Sequence, residues 1–142
     1  MNCSFSDQEL ILHLLKGLSN QISPKFERCT GISSTRYELL FQLYRTEEIS
    51  QSTLQKAINI DSAAITRHLK LLEAEGMVSR RRNPSDNRVT FVRLTEEGRS
   101  HLIGFKKEQV SFVNQMLHDF KKEELEALTD MLNRMKKNIV DY

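Results

Sequence analysis

The 142-residue chain has no tryptophan, two cysteines, two prolines and five glycines. So few chain breakers exclude a many-stranded sandwich or barrel, which needs frequent turn residues, and favour long helices. Cys3 and Cys29 make neither a disulfide framework nor a CxxC metal clip, so no metal or other cofactor is expected and a reduced, cytoplasmic setting is. Apolar runs are short, as in Leu10-Ile11-Leu12 and Leu39-Leu40-Phe41, and none approaches the ~18 consecutive apolar residues of a membrane span. The opening MNCSFSDQEL lacks the basic flank and apolar core of a signal peptide. Charge of one sign is also lacking: 21 Lys and Arg against 19 Asp and Glu leave +2, too little to argue for nucleic acid by itself. No nucleophile–base pair, phosphate-binding glycine loop or paired-carboxylate motif stands out, which argues against an enzyme. The balance of 39% hydrophobic and 28% charged residues is that of a globular protein. At roughly 100–200 residues per domain, the length fits one unit.

The distribution of charge is more telling than its total. Residues 50–95 hold eight Lys or Arg against four acids, a local +4 within an overall +2. The density peaks at Arg80-Arg81-Arg82. A triple arginine is ordinarily a solvated surface, and its neighbourhood has to give it meaning.

Periodicity predicts a helix from about Ser6 to Cys29. Ser6 and Glu9 have the spacing of a capping box, and Leu10, Ile11, Leu14, Leu15, Leu18 and Ile22 form one stripe. Pro24 is expected to kink or interrupt it, and Gly31 to end it. A second helix, Ser33 to Tyr44, is expected to turn Tyr37, Leu40, Phe41 and Tyr44 to one side. A short helix capped by Ser50 directs Leu54, Ala57 and Ile58 inward. After a turn at Asn59 to Asp61, a fourth helix runs from Ser62 to Glu75 with Ile65, Leu69 and Leu72 inward and Asp61 or Ser62 as cap. Gly76 stops it. The period then changes to alternation: MVSRRR and RVTFVRL read as two strands joined by the turn-forming NPSDN. Thr95-Glu96-Glu97 opens a long helix, and a last one carries Leu125, Leu128, Met131, Leu132, Met135 and Ile139.

Two helices joined by a tight turn and followed by a basic hairpin imply a mainly α fold with a small β-hairpin wing, a winged helix-turn-helix. That shape suits double-stranded DNA, whose major groove admits one α-helix. Ser62, Ala63, Thr66, Arg67 and Lys70 fall on the polar side of the fourth helix. The small residues at its start allow close approach to base edges, Arg67 suits a guanine or a phosphate, and Lys70 a phosphate. Arg82 and Arg88 line the wing, and Arg88 near the tip is long enough for a minor groove. Asp86 is unfavourable beside DNA unless it pairs with Arg88 or a strand arginine, or makes an Asx-turn.

The run AAITRHLKLLEAEGMVSRRRNPSDNRVTFVRLTEEG resembles the MarR family of bacterial winged-helix transcription regulators. The helix ending LLEAEGMV, the wing tip Asp86-Asn87-Arg88 and the closing LTEEG carry the likeness, which extends over essentially the whole chain. It implies a homodimer reading a pseudo-palindromic operator, with Thr66 and Arg67 in the major groove, Arg88 in the minor groove and Asp86 orienting the wing. Residues 33–95 would form the DNA-binding lobe, and 1–32 and 96–142 the dimerisation helices. The apolar stripes of the first and last helices, too large for one small lobe to cover, support the dimer independently.

The resemblance also implies release by a small aromatic or phenolic effector, for which His13, Phe26, Tyr37, Phe41 and Tyr44 are the candidates. Oxidant-sensing relatives carry a cysteine inside the first helix, at a position matching Gln8 or Glu9 here. A cysteine-based redox-sensing regulator is the alternative within the family, through Cys3 before that helix or Cys29 at its end, where only Arg28 is adjacent to activate the thiol. The His-x-x-x-His pair of zinc-sensing relatives is broken, because Phe105 stands four residues after His101 and His118 lies too far along. The rival from another class is a winged-helix module that binds protein, which has no general need for a guanidinium-lined wing.

Overall fold

The computed structural model describes residues 6–142; Cys3 lies outside them. The elements run α1 (Asp7–Thr30), α2 (Ser34–Tyr44), β1 (Ile49–Ser50), α3 (Gln51–Ile58), α4 (Ser62–Ala74), β2 (Val78–Asn83), β3 (Asp86–Leu94), α5 (Glu96–Met116) and α6 (Lys122–Ile139). The described chain divides into two compact units, the first ending at Val110 and the second spanning Ser111–Tyr142.

Local chemistry sets most boundaries. Ser6 Oγ accepts the Glu9 amide at 3.2 Å while Glu9 Oε2 accepts the Ser6 amide at 2.7 Å, the reciprocal pair expected from their spacing. Ser33, Ser50 and Asp61 cap α2, α3 and α4 one way, their side-chain oxygens accepting the Arg36, Thr53 and Ala64 amides; each such cap contributes on the order of 1 kcal/mol. Gly31 ends α1 at φ 81°, in the left-handed region that a side chain disfavours. At α6 the Glu124 carboxylate accepts the Lys121 amide at 2.9 Å.

The folded chain adds to the sequence pattern or departs from it at four places. Pro24 does not interrupt α1, which stays helical through it to Thr30. The Asn20 carbonyl loses its amide donor there, but Asn20 and Pro24 are exposed, so water can take the donor's place. The hairpin is part of a three-stranded antiparallel sheet in the order β1-β3-β2. Its extra strand pairs only Ile49 with Val92 and Ser50 with Phe91, too short to show a period. On α2 the buried residues are Tyr37, Leu39, Leu40 and Leu43, whereas Phe41 and Tyr44 remain 38% and 46% exposed. Apolar residues surround that helix on most sides, so periodicity could not choose the face. Ala57 on α3 likewise points to solvent, and Leu54 and Ile58 hold the inner side.

The core of the first unit is Leu39, Leu40, Leu43, Leu54, Ile65, Leu69, Leu72 and Val92, all below 2% exposed. It packs α2, α3 and α4 against the sheet and so fixes α4 beside the wing. The LTEEG segment has a structural reason. Thr95 Oγ1 donates to the Gly76 carbonyl at 2.6 Å and accepts the Gly98 amide at 2.9 Å, which ties the start of α5 to the end of α4. Gly98 sits so close to β2 that a Cβ there would lie 2.0 Å from the Met77 carbonyl oxygen and 2.8 Å from Leu94 Cδ1. Gly98→Ala is therefore expected to destabilise by about 1–3 kcal/mol, the usual cost of overpacking, despite alanine's better helix propensity. Thermal unfolding checks this, and an unchanged midpoint would contradict it.

Candidate nucleic-acid interface

The outer side of α4 is built by subtraction. Ile65, Leu69 and Leu72 are fully buried, and the three-and-four spacing leaves Ser62, Ala63, Thr66, Arg67 and Lys70 exposed together. Asp61 Oδ1 accepts the Ala64 amide at 2.7 Å, which spends that carboxylate on the helix start. Thr66 Oγ1 donates to the Ser62 carbonyl at 2.8 Å and accepts Gln51 Nε2 at 3.3 Å. His68, beside Arg67, has its pKa lowered by burial and then by Arg67 and Arg36. Its imidazole is neutral at pH 7, and its buried Nδ1 has no hydrogen-bond partner among the described residues.

The three consecutive arginines have three different roles. Arg80 pairs with Glu73 of α4 at 3.1 Å. Arg81 makes a fork to Glu48, with Nε and Nη2 at 2.9 and 2.7 Å, and lies 5.0 Å over the Phe91 ring. These two pin the wing, one to α4 and the other to the segment before β1. Arg82 is exposed, and like Arg67 and Lys70 it has no carboxylate partner among the described residues. The free positive charge of α4 and the upper wing thus concentrates in Arg67, Lys70 and Arg82.

The wing tip is irregular where it matters. Register holds from Val78↔Leu94 to Arg82↔Thr90 and then slips to Asn83↔Asp86, so Asn87, Arg88 and Val89 have no partner on β2. The turn is only Pro84 and Ser85, shorter than NPSDN suggests; Asn83 Oδ1 accepts the Ser85 amide at 2.9 Å to close it. Asp86 Oδ1 accepts both the backbone amide and Nε of Arg88 at 3.1 Å. Both alternatives for Asp86 hold at once, since it makes the local turn and grips the guanidinium. The Arg88 side chain is still 91% exposed, and a bulge of this kind re-aims such a side chain away from the sheet.

Hydrogen bonds from Arg81, Arg80 and Arg88 hold the Glu48, Glu73 and Asp86 carboxyls below their ordinary range. A depressed folded-state pKa contributes stability that is present at neutral pH and is lost as pH falls through that pKa. The pairs are exposed, so screening keeps the contribution small. The Nε–H resonances of Arg80, Arg81 and Arg88 are expected to stay fixed from pH 8 to 5 and to move only in acid. Movement centred within or above the usual carboxylate range would contradict the pairing.

Of the effector candidates, Tyr37, Phe41 and Tyr44 come together at a cavity of about 290 Å³ completed by Glu38 and by Leu102, Ile103, Lys106 and Gln109 of α5. Tyr37 donates its hydroxyl to Gln109 Oε1 at 2.5 Å; burial, and secondarily Glu38, raises its pKa, so it stays a donor. Arg99 lies 5.0 Å over the Tyr44 ring. His13 and Phe26 do not line this cavity, and Phe26 is a core residue set edge-to-face on Tyr37 at 5.4 Å. Sequence reasoning missed Lys106 and Gln109, about 70 residues away, because no local signal says that α5 crosses α2. Glu48 and Gln51 lie 33 and 15 residues from Arg81 and Thr66 and escaped for want of a local signal, whereas Glu73 stands only seven residues from Arg80, across the turn at Gly76.

Among the described residues no three His, Cys, Asp or Glu are grouped as metal ligands, and no helix is long and apolar enough to cross a membrane. Cys29 is exposed, its thiol 3.8 Å from the Glu108 carbonyl.

A helix pair whose second member bears an unpaired cationic face beside a bulged, guanidinium-tipped hairpin defines a winged helix-turn-helix protein. Residues 32–90 match the MarR family. The chain is 58% identical over 112 residues to YdgJ of Bacillus subtilis (strain 168), an uncharacterized HTH-type transcriptional regulator, with 79% of this chain and 68% of that one covered. Its fold is that of the PcaV transcriptional regulator from Streptomyces coelicolor in complex with its natural ligand, at TM-score 0.83, 19% identity and coverage of 96% and 98% of the two chains. It is also that of a MarR mutant from E. coli complexed with operator DNA, at TM-score 0.79, 21% identity and coverage of 93% and 99%. The chain belongs to the MarR family of DNA-binding transcriptional regulators.

Proposed function

We propose that the protein is a homodimeric repressor that occupies a pseudo-palindromic operator and leaves it when a small ligand binds. The observation that carries the DNA reading is the exposed face of α4, where Arg67 and Lys70 stand without carboxylate partners among the described residues, beside the 91%-exposed Arg88 of the wing. Thr66 and Arg67 meet base edges in the major groove, Lys70 and Arg82 meet phosphate, and Arg88 enters the minor groove with Asp86 and Asn87 shaping its approach. A partner protein would have no general use for this set, and no observation favours an enzyme.

The dimer rests on uncovered apolar stripes. In α1, Leu10, Ile11, Leu14 and Leu18 are 49–57% exposed, and α6 has no buried residue at all. Stripes of this size on a monomer mark an interface, and a second copy is the symmetric solution. Residues 33–95 act as the DNA lobe, with 1–32 and 96–142 supplying the dimer helices. Two-fold symmetry sets the recognition helices about 34–36 Å apart, one DNA turn. The cavity beside Tyr37 suits a small aromatic or phenolic effector, with Phe41 and Tyr44 for the ring and Lys106 for an anionic substituent.

Incubating the purified full chain with sheared genomic DNA and sequencing what it retains tests the reading. Fragments sharing an inverted repeat with half-sites one turn apart are expected. Retained fragments with no shared motif would overturn it.

A further inference from the structure

Thr66 is assigned above to the major groove, but its hydroxyl is already committed. A threonine hydroxyl has one proton to donate and two lone pairs. The proton goes to the Ser62 carbonyl at 2.8 Å, and Gln51 Nε2 occupies a lone pair at 3.3 Å. Because Thr66 gives its proton to Ser62, the Gln51 amide must present N–H and not its oxygen. The exposed Thr66 side chain therefore has no proton left to offer a base, and beside one remaining lone pair it presents its methyl group. One turn earlier Ala63, also exposed, offers only a methyl, and residues three apart on a helix are neighbours. The polar face of α4 therefore contains a small apolar spot between Ser62 and Arg67.

We propose that Thr66 and Ala63 recognise the 5-methyl group of a thymine in each half-site, and that Gln51 is a positioning residue holding Thr66 in the rotamer that does so. The proposal rests on the DNA reading of α4 given above. Among the features that A·T and G·C pairs present in the major groove, only the thymine methyl is apolar. A hydroxyl free to donate would read any acceptor; one spent on Ser62 and Gln51 turns Thr66 into a selector for that methyl.

The test uses duplexes with a randomised core, selected on the full chain, and the enriched duplex prepared with thymidine or with deoxyuridine, which pairs identically but lacks the methyl. An enriched motif with a T·A pair at a symmetry-related position in each half-site is expected. The uracil form should bind about fourfold more weakly per half-site, the worth of one buried methyl. Thr66→Val, which keeps the methyl, should preserve the preference for thymine over uracil, and Thr66→Ser, which leaves only the Ala63 methyl, should reduce it by half or more. Gln51→Ala should reduce that ratio while leaving thermal stability unchanged, which a merely structural role would not do. Equal affinity of the wild type for both duplexes, or a preference kept by Thr66→Ser and lost by Thr66→Val, overturns the methyl assignment and leaves the regulator reading standing. Enrichment of no motif overturns both.

Discussion

A chain carrying Leu128→Glu and Leu132→Glu is expected to be monomeric and to lose operator binding altogether. Leu132 is 42% exposed in the isolated chain, and Leu128 and Leu125 are half-buried on the same stripe of α6. Burying such a leucine in an interface is worth about 1.5–3 kcal/mol, and symmetry doubles it. Replacing two of them with carboxylates also sets four charges where the partner would cover them, unpaired. Together these exceed the several kcal/mol separating a stable dimer from monomers at micromolar concentration. DNA affinity falls with the dimer, because one lobe offers half the contacts. Sedimentation velocity reads the mass and circular dichroism the helix content. A helical dimer in the double variant would mean that α6 is not the interface.

Arg88→Ala carries the second large effect. The guanidinium is held by Asp86 through Nε at 3.1 Å and Nη2 at 3.4 Å, yet its side chain is 91% exposed and packs on no core residue. Its removal should leave the unfolding midpoint and the dimer unchanged. A specific arginine contact is worth about 1–3 kcal/mol, so with two wings the operator affinity should drop by roughly a hundredfold or more. Arg88→Lys should recover little, because lysine keeps the charge but cannot make the planar fork to Asp86 that aims it. Unchanged affinity in Arg88→Ala would take the wing tip out of the mechanism.

The sequence shows the parts of this protein that are local. Caps at Ser6, Ser33, Ser50 and Asp61, the stops at Gly31 and Gly76, the inner stripe of α4 and the wing strands are each written within a few neighbouring residues. The exposed set on α4 follows from that stripe by geometry alone. What it hides is long-range. Nothing near Arg81 says that it pairs with Glu48, 33 residues back, and only the folded turn at Gly76 brings Glu73 to Arg80, so among the described residues a uniform basic run becomes two struts and one free cation. Strand β1 consists of two residues and has no period to detect. The cavity beside Tyr37 needs α5 laid across α2, which a one-dimensional pattern cannot express. The continuity of α1 at Pro24 depends on that turn facing water, again a property of the folded chain.

If the chain binds DNA by sequence through the cations of α4 and the wing, its affinity depends both on the duplex and on salt. Affinity of the purified protein for the inverted-repeat fragment retained from genomic DNA and for a scrambled duplex of the same composition, measured across a salt series, separates the two. The inverted-repeat duplex should bind at least about a thousandfold more tightly. Its log–log salt slope should be steep, near −0.9 for each phosphate that Lys70, Arg82 and their symmetry mates neutralise. Equal affinity for the two duplexes, failure to bind either at low salt, or binding indifferent to salt would overturn recognition by sequence.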